Sequence, residues 1–192
     1  MGKLIHLVHQ SLDGYIEGPD GEFDWPAMGP QLSAYSRELT PEGTVFLYGR
    51  KVWELMSGFW PKAEQYSQDP HDLAFAPLWR AAPKVVVSRT LTTAGFNAQI
   101  ISDNVAEQIN GLKESGQDLV LFGGAELAAH LTAHRVIDEY HVVTHPVLLG
   151  GGRPTFPAAS QRTELELVGT RSFDGRSTLL RHQLTPPAAG KA

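Results

Sequence analysis

The sequence predicts an α/β fold in three layers: a mainly parallel central sheet, helices on both of its faces and a C-terminal antiparallel hairpin. Three observations predict it. Short, continuous apolar runs alternate with helical patterns through the middle of the chain, as parallel strands covered on both faces do. The last stretch instead alternates apolar and polar residues on either side of Asp174-Gly175, the pattern of a hairpin. Three apolar runs also end in glycine, serine or charged residues, at the strand ends where an open α/β sheet binds its ligands.

Taken in order, Lys3 to Val8 reads as a buried first strand that turns at Ser11-Leu12-Asp13-Gly14 into a long loop through Gly18-Pro19-Asp20-Gly21 and Asp24-Trp25-Pro26. Long loops in compact domains are often functional lids, and this one carries Tyr15, Phe23 and Trp25; covering the core edge is the alternative role for these rings. Leu32, Tyr35, Ser36 and Leu39 fall on one helical face starting near Pro30, and Pro41-Glu42-Gly43 ends that helix. The strand Thr44 to Tyr48 leads into a helix with Val52, Leu55 and Met56 inward, stopping at Gly58. Pro61 to Pro70 reads as irregular, and Asp72 to Ala82 as a short helix interrupted at Pro77.

Lys84 to Val87 is the next strand and Gln99-Ile100-Ile101 a short one. Asn104 and Glu107 carry a capping-box signature ahead of Val105, Ile109 and Leu112, with Gly116 as the C-terminal cap. Leu119 to Phe122 is a strand followed by a helix with Leu127, Ala128 and Leu131 inward; Asp138 to His145 is another strand. Residues 1–185 form a single domain in this reading, and 186–192 a disordered tail.

Composition narrows the function. A chain of 192 residues with net charge −5 carries no broad footprint for nucleic acid or a membrane surface, although a local basic pocket remains compatible. With no cysteine, disulfides, thiolate catalysis and Cys-based zinc sites are excluded. No secretory pattern or spanning run of roughly 20 apolar residues is visible, so a cytoplasmic protein is expected. His141 and His145 on one strand would lie roughly 13 Å apart at about 3.3 Å per residue. They and the pair His6 and His9 are therefore read as core or surface histidines, with no metal expected.

The chemistry concentrates at the strand ends. Gly49-Arg50-Lys51 places two cations at a helix start, where each opposes the helix dipole by roughly 0.3–1 kcal/mol; an anionic partner would relieve that cost. Ser88-Arg89-Thr90 offers two hydroxyls and a guanidinium, suited to a ribose 2′-phosphate or serving as a plain polar loop. Gly123-Gly124 before a helix lets a backbone approach a pyrophosphate, and Glu126 either caps the helix or meets the ligand. Gly150-Gly151-Gly152 reads mainly as a bulge or turn, with a border of the cofactor site as the alternative. Neither a P-loop nor a G-x-S-x-G nucleophile elbow is present.

Taken together, Ser11-Leu12-Asp13-Gly14-Tyr15-Ile16, Tyr48-Gly49-Arg50-Lys51-Val52-Trp53-Glu54, Val87-Ser88-Arg89-Thr90-Leu91, Leu121-Phe122-Gly123-Gly124-Ala125-Glu126-Leu127 and Pro146 to Gly152 resemble the dihydrofolate-reductase-like superfamily. The branch resembled is that of the C-terminal reductase domain of bacterial riboflavin biosynthesis proteins. The resemblance implies NADPH held by Ser11, Gly49, Arg50, Lys51, Ser88, Arg89, Phe122, Gly123, Gly124, Ala125 and Glu126, a mobile active-site loop through Trp25, and a homodimer meeting near the terminal strands. It departs from true dihydrofolate reductases at Gly29-Pro30-Gln31-Leu32, where their first helix carries an acid, which speaks against folate as substrate.

The reading is therefore an NADPH-dependent reductase passing hydride to a small heterocyclic or carbonyl substrate. Asp13 and Asp24 are the candidate catalytic groups, with Asp-Gly as a simple turn pair the alternative for Asp13. Trp25 and Trp53 are the candidate substrate-binding residues, with the core as the alternative for Trp53. A nucleotide-binding regulatory module without turnover, or a reductase using a flavin or deazaflavin, would share the same cleft.

Overall fold

The structure is a computed structural model that describes residues 1–158 and 162–185; the expected tail at 186–192 lies outside the described residues. Its strands are β1 (Leu4–Ser11), β2 (Tyr15–Glu17), β3 (Val45–Gly49), β4 (Lys84–Val87), β5 (Ala98–Ile101), β6 (Leu119–Phe122), β7 (Glu139–His145), β8 (Arg153–Pro154), β9 (Leu165–Phe173) and β10 (Ser177–Leu184). The main sheet has the order β5-β4-β3-β6-β1-β7-β10-β9. From β5 to β7 every pairing is parallel, and β10 joins β7 antiparallel with β9 as its hairpin partner. Short β2 and β8 pair separately and tie the loop after β1 to the glycine-rich loop after β7.

The helices are α1 (Pro30–Glu38), α2 (Arg50–Phe59), α3 (Ala63–Tyr66), α4 (Pro70–Ala81), α5 (Val105–Glu114) and α6 (Ala125–Ala133). Strand alternation sends Leu4, Val45, Leu47, Leu119 and Leu121 to one face, against Ile109 of α5 and Leu127, Ala128 and Leu131 of α6. On the other face, Leu7, Val120 and Val143 meet Leu32 and Tyr35 of α1. Phe46, Tyr48 and Val86 meet Phe75, Ala76 and Trp79 of α4. Burial of each large side chain contributes about 1.5–3 kcal/mol, which is why the sheet needs cover on both sides.

Several local expectations change. Leu55, expected inward on α2, is exposed while Trp53 takes the core side, and Ala63–Tyr66, within the stretch read as irregular, forms α3. Strand β1 continues to Ser11, because its pairing with β7 extends to Ser11 opposite His145. Helix α4 runs unbroken through Pro77. A proline inside a helix costs about 3 kcal/mol, and here its ring lies on the solvent face while Phe75, Ala76 and Trp79 bury the other. The capping box at α5 does not form: Asn104 takes a left-handed backbone (φ +42°) and caps nothing with its side chain. Gln108 instead reaches back to the Asp103 carbonyl at 2.8 Å.

Candidate functional site

Parallel pairing places the carboxyl ends of β4, β3, β6, β1 and β7 side by side, with Gly49 opposite Val87 and Ser11 opposite His145. The three glycine- and arginine-bearing segments therefore reach one edge of the sheet. Helix α2 starts at Gly49 and α6 at Gly124, and neither cap residue supplies a side-chain acceptor to the first turn. Gly123 (φ +56°) and Gly124 (φ +74°) hold the left-handed conformations that open α6. A Cβ on either would lie only 4.0 and 3.7 Å from Cγ2 of Val52, so the two helix starts are immediate neighbours. An anion at such a place meets N–H donors and the positive ends of both dipoles.

Arg50 bridges the segments. Its Nε donates to Glu54 at 2.7 Å, and its Nη1 donates to the Thr90 hydroxyl in the loop after β4. In that loop the Ser88 hydroxyl accepts from the Thr90 and Leu91 amides at 3.3 and 3.1 Å. Lys51 and Arg89 are exposed. Phe122 contributes a core ring, 5.0 Å from Phe46 between centroids, and Ala125 is buried. Glu126 is paired at 2.9 Å with Arg153, whose Nε also donates to Glu17 at 2.6 Å. That chain of ions fastens the loop after β7 to the start of α6.

At the end of β1, Ser11 is fully buried and its hydroxyl accepts from the Tyr15 amide at 2.9 Å. Asp13 accepts from the amides of Leu149 (3.1 Å) and Gly150 (2.8 Å). The Ser11 hydroxyl and these amides hold its carboxyl below the usual carboxylate range. An ionised carboxylate with both oxygens engaged by amides acts as a loop anchor, which fits the turn alternative for Asp13. Asp24 is exposed in the long loop.

The two tryptophans part company. Trp25 closes edge-on over His145, with ring centroids 5.6 Å apart, and its indole N–H is buried without a partner. Trp53 is 3% exposed and stacks on Trp79 at 5.9 Å. Its inward position on α2 makes it a core residue with no face for substrate, which corrects that assignment. The first turn of α1 carries no acid. Its amides at Gln31 and Leu32 are met by the carboxylate of Asp174, from the β9–β10 turn, at 3.0 and 3.2 Å.

The sequence reading missed a histidine cluster at this same edge. His9 Nδ1 and His145 Nε2 lie 2.9 Å apart, and His71 of α4 bonds Ser33 of α1 at 3.0 Å. Burial pushes His145 down to about 4, helped by nearby Arg176. Burial, with His145 and His71 as neighbours, pushes His9 down to about 3. The available signal was that both residues sit near the ends of neighbouring apolar runs; comparing histidines only within a strand hides it. Among the described residues no three His, Asp or Glu side chains form a metal cluster, and no helix is long and apolar enough to cross a membrane. A cavity of about 350 Å³ lies at the opposite end of the sheet. Several of its polar residues are paired with one another: Tyr35 with His141, and His141, Lys3 and Arg181 with Glu139.

The family model of the RibD C-terminal domain matches residues 3–179. Uncharacterized protein YyaP of Bacillus subtilis (strain 168) is 37% identical over 175 residues, covering 89% of each chain. Among solved structures, a protein of Shewanella sp. PV-4 with a provisional riboflavin-biosynthesis description superposes with a TM-score of 0.74 at 19% identity, over 97% of this chain and 100% of that one. A dihydrofolate reductase of Enterococcus faecalis, solved with NADP(H), gives 0.67 at 16% identity over 96% and 98%. At such identities these likenesses establish a dihydrofolate-reductase-like fold.

Proposed function

The chain belongs to the RibD C-terminal domain family, and on that premise we propose that it is an NADPH-dependent reductase of a small heterocyclic or carbonyl substrate. The observation that carries this reading is the pair of adjacent, glycine-opened helix starts at Gly49 and Gly124, with Arg50 braced between them and Thr90. Those features fit a dinucleotide. In this reading the amides of Arg50, Lys51 and Ala125 hold the pyrophosphate. Ser88, Arg89 and Thr90 hold a ribose 2′-phosphate, with the Arg89 guanidinium free to grip it bidentately.

When bound, NADPH supplies hydride from its nicotinamide ring. The chain's own part is orientation and exclusion of water. Asp13 holds the 149–150 turn beside the end of β1, and Trp25 covers the histidine cluster. The same reading makes the chain a homodimer through its C-terminal hairpin, a role supported by exposed Leu165, Leu167 and Val168 on β9.

Titration of NADPH and NADH against intrinsic tryptophan fluorescence tests the cofactor. Arg50→Ala and Arg89→Ala are each expected to weaken NADPH at least tenfold, about the worth of one charge-assisted phosphate contact. Arg89→Ala should also narrow the preference over NADH. Unchanged affinity in both variants overturns the assignment. The acid-free first turn of α1 favours one competing reading, a nucleotide-binding module without turnover. Tight NADPH binding with no oxidation across a panel of pterins, pyrimidines and carbonyl compounds would select it.

A further inference from the structure

Reducing a C=N or C=O group requires a proton as well as a hydride, and α1 supplies no acid for it. What stands at the carboxyl ends of β1 and β7 is a pair of imidazoles. His9 and His145 lie on the sheet face covered by α1 and α4, in register positions two residues apart along neighbouring parallel strands. Their rings are 5.1 Å apart between centroids and share one hydrogen bond of 2.9 Å. Among the described residues, that bond is the only side-chain hydrogen bond either ring makes.

The groups facing the pair are known. His71 comes from α4, Arg176 from the hairpin turn and Trp25 from the long loop. None is a carboxylate, so nothing here favours an imidazolium, and both rings are neutral at pH 7. A neutral pair sharing one hydrogen bond has a fixed consequence. If His9 Nδ1 carries the shared proton, His9 Nε2 is a bare acceptor and His145 Nδ1 carries a hydrogen; if His145 Nε2 carries it, the two outer roles exchange. One outer nitrogen is always a donor and the other an acceptor. His9 is only partly buried, and Trp25, whose N–H also lacks a partner, is the cover over His145.

We propose that His9 and His145 form the proton relay of this site, delivering the proton that completes reduction of the substrate bound beneath Trp25. The proposal rests on the reductase reading above. The substrate carbon gains hydride from NADPH, and the electron pair of its C=N or C=O π bond moves to the heteroatom. The heteroatom takes the hydrogen from the outer donor nitrogen. The shared proton crosses between the rings, and the far outer nitrogen recovers one proton from water. Both rings end neutral with exchanged tautomers. After product leaves, the substrate-side nitrogen takes a proton from water, the shared proton crosses back and the far nitrogen releases one, which restores the starting pair, and the net consumption is one hydride and one proton.

The test uses the full chain loaded with NADP⁺ and labelled with 15N-histidine, beside His9→Gln and His145→Gln. Glutamine can keep one hydrogen bond but cannot pass a proton through a ring. At pH 7 the spectra should show both rings neutral with complementary tautomers coupled across the shared bond. An imidazolium at either position, or two uncoupled rings, overturns the relay.

Turnover is then read with 9,10-phenanthrenequinone as the C=O probe. Positioned acid–base groups are typically worth about 10²–10⁴-fold, so either variant should lose kcat at least 100-fold. NADPH affinity and probe KM should stay within about twofold, a split that loss of general structure would not give. Wild-type kcat in both variants overturns the relay. If the wild type binds NADPH but does not reduce the probe, the reductase reading fails and the relay falls with it, the coupled pair in the 15N spectra then being a structural hydrogen bond; an active wild type with unaffected variants overturns the relay alone.

Discussion

His6 offers the sharpest test of the electrostatic argument. It lies in β1 with no exposed surface, and neither ring nitrogen makes a hydrogen bond of good geometry, although the neighbouring Gly123 backbone favours its charged form against burial. Tyr140 and Phe156 pack edge-on against it at 6.1 and 6.3 Å. Burial lowers its pKa from 6.5 to about 4. A depressed folded value means that the unfolded chain takes up the proton first. The contribution to stability is therefore fully present above about pH 6.5 and is lost as pH falls toward 4. At about 1.4 kcal/mol per pKa unit, the loss is about 3 kcal/mol for this one group.

A buried unsatisfied polar group also costs about 1–3 kcal/mol at any pH. His6→Leu removes both penalties at similar volume. The variant should be at least as stable as the wild type at pH 7.5 and gain about 2–3 kcal/mol on it by pH 4.5. Urea unfolding followed by tryptophan fluorescence at pH 7.5, 6.0, 5.0 and 4.5 measures this directly. A variant that loses more than about 1 kcal/mol at pH 7.5, or whose advantage does not widen on acidification, refutes the reasoning and means that His6 has a bonded role.

Two further outcomes follow from the loop anchors. Asp174→Gly deletes the carboxylate that caps α1 while suiting the left-handed backbone at that position (φ +54°). It should cost about 1–2 kcal/mol, or about 2–8 °C in Tm by calorimetry, with Asp174→Asn losing clearly less; equal stability of all three proteins would contradict the cap. Asp13→Ala should speed amide exchange at Leu149 and Gly150 by on the order of tenfold in hydrogen-exchange NMR. It should leave the acid limb of any turnover profile in place, whereas loss of that limb would return Asp13 to the chemistry.

Much of the fold was legible because its signals are local. The Val85-Val86-Val87 and Leu119-Val120-Leu121 runs can only be buried strands, and Gly116 (φ +90°) ends α5 where a left-handed cap is needed. The misread elements are those where a distant contact outweighs a local preference. Pro77 disfavours a helix over its neighbours, yet Phe75, Ala76 and Trp79 supply enough buried surface to carry α4 through it. Asn104 and Glu107 have the spacing of a capping box, but Asn104 takes a left-handed backbone in place of the extended one a cap requires.

The same division runs through the candidate site and explains its two halves. The strand-to-helix turns at Gly49-Arg50 and Gly123-Gly124 are contiguous in sequence, so a cradle for phosphate can be read from a few letters. The half of the candidate site beneath Trp25 is assembled from residues 136 positions apart, as both His9 with His145 and Asp13 with Leu149 show. No local pattern distinguishes a histidine destined for such a pair from one packed in the core, as His6 is. The hairpin adds a constraint. Asp174 already occupies the amides that open α1 and binds Gln31 in return, so that turn is committed to holding the fold together. With Asp13 equally committed to its loop, the groups facing one another under Trp25 are the two imidazoles and the nearby Arg176, with no carboxylate among them, which is why the proposed proton delivery is assigned to the strand ends.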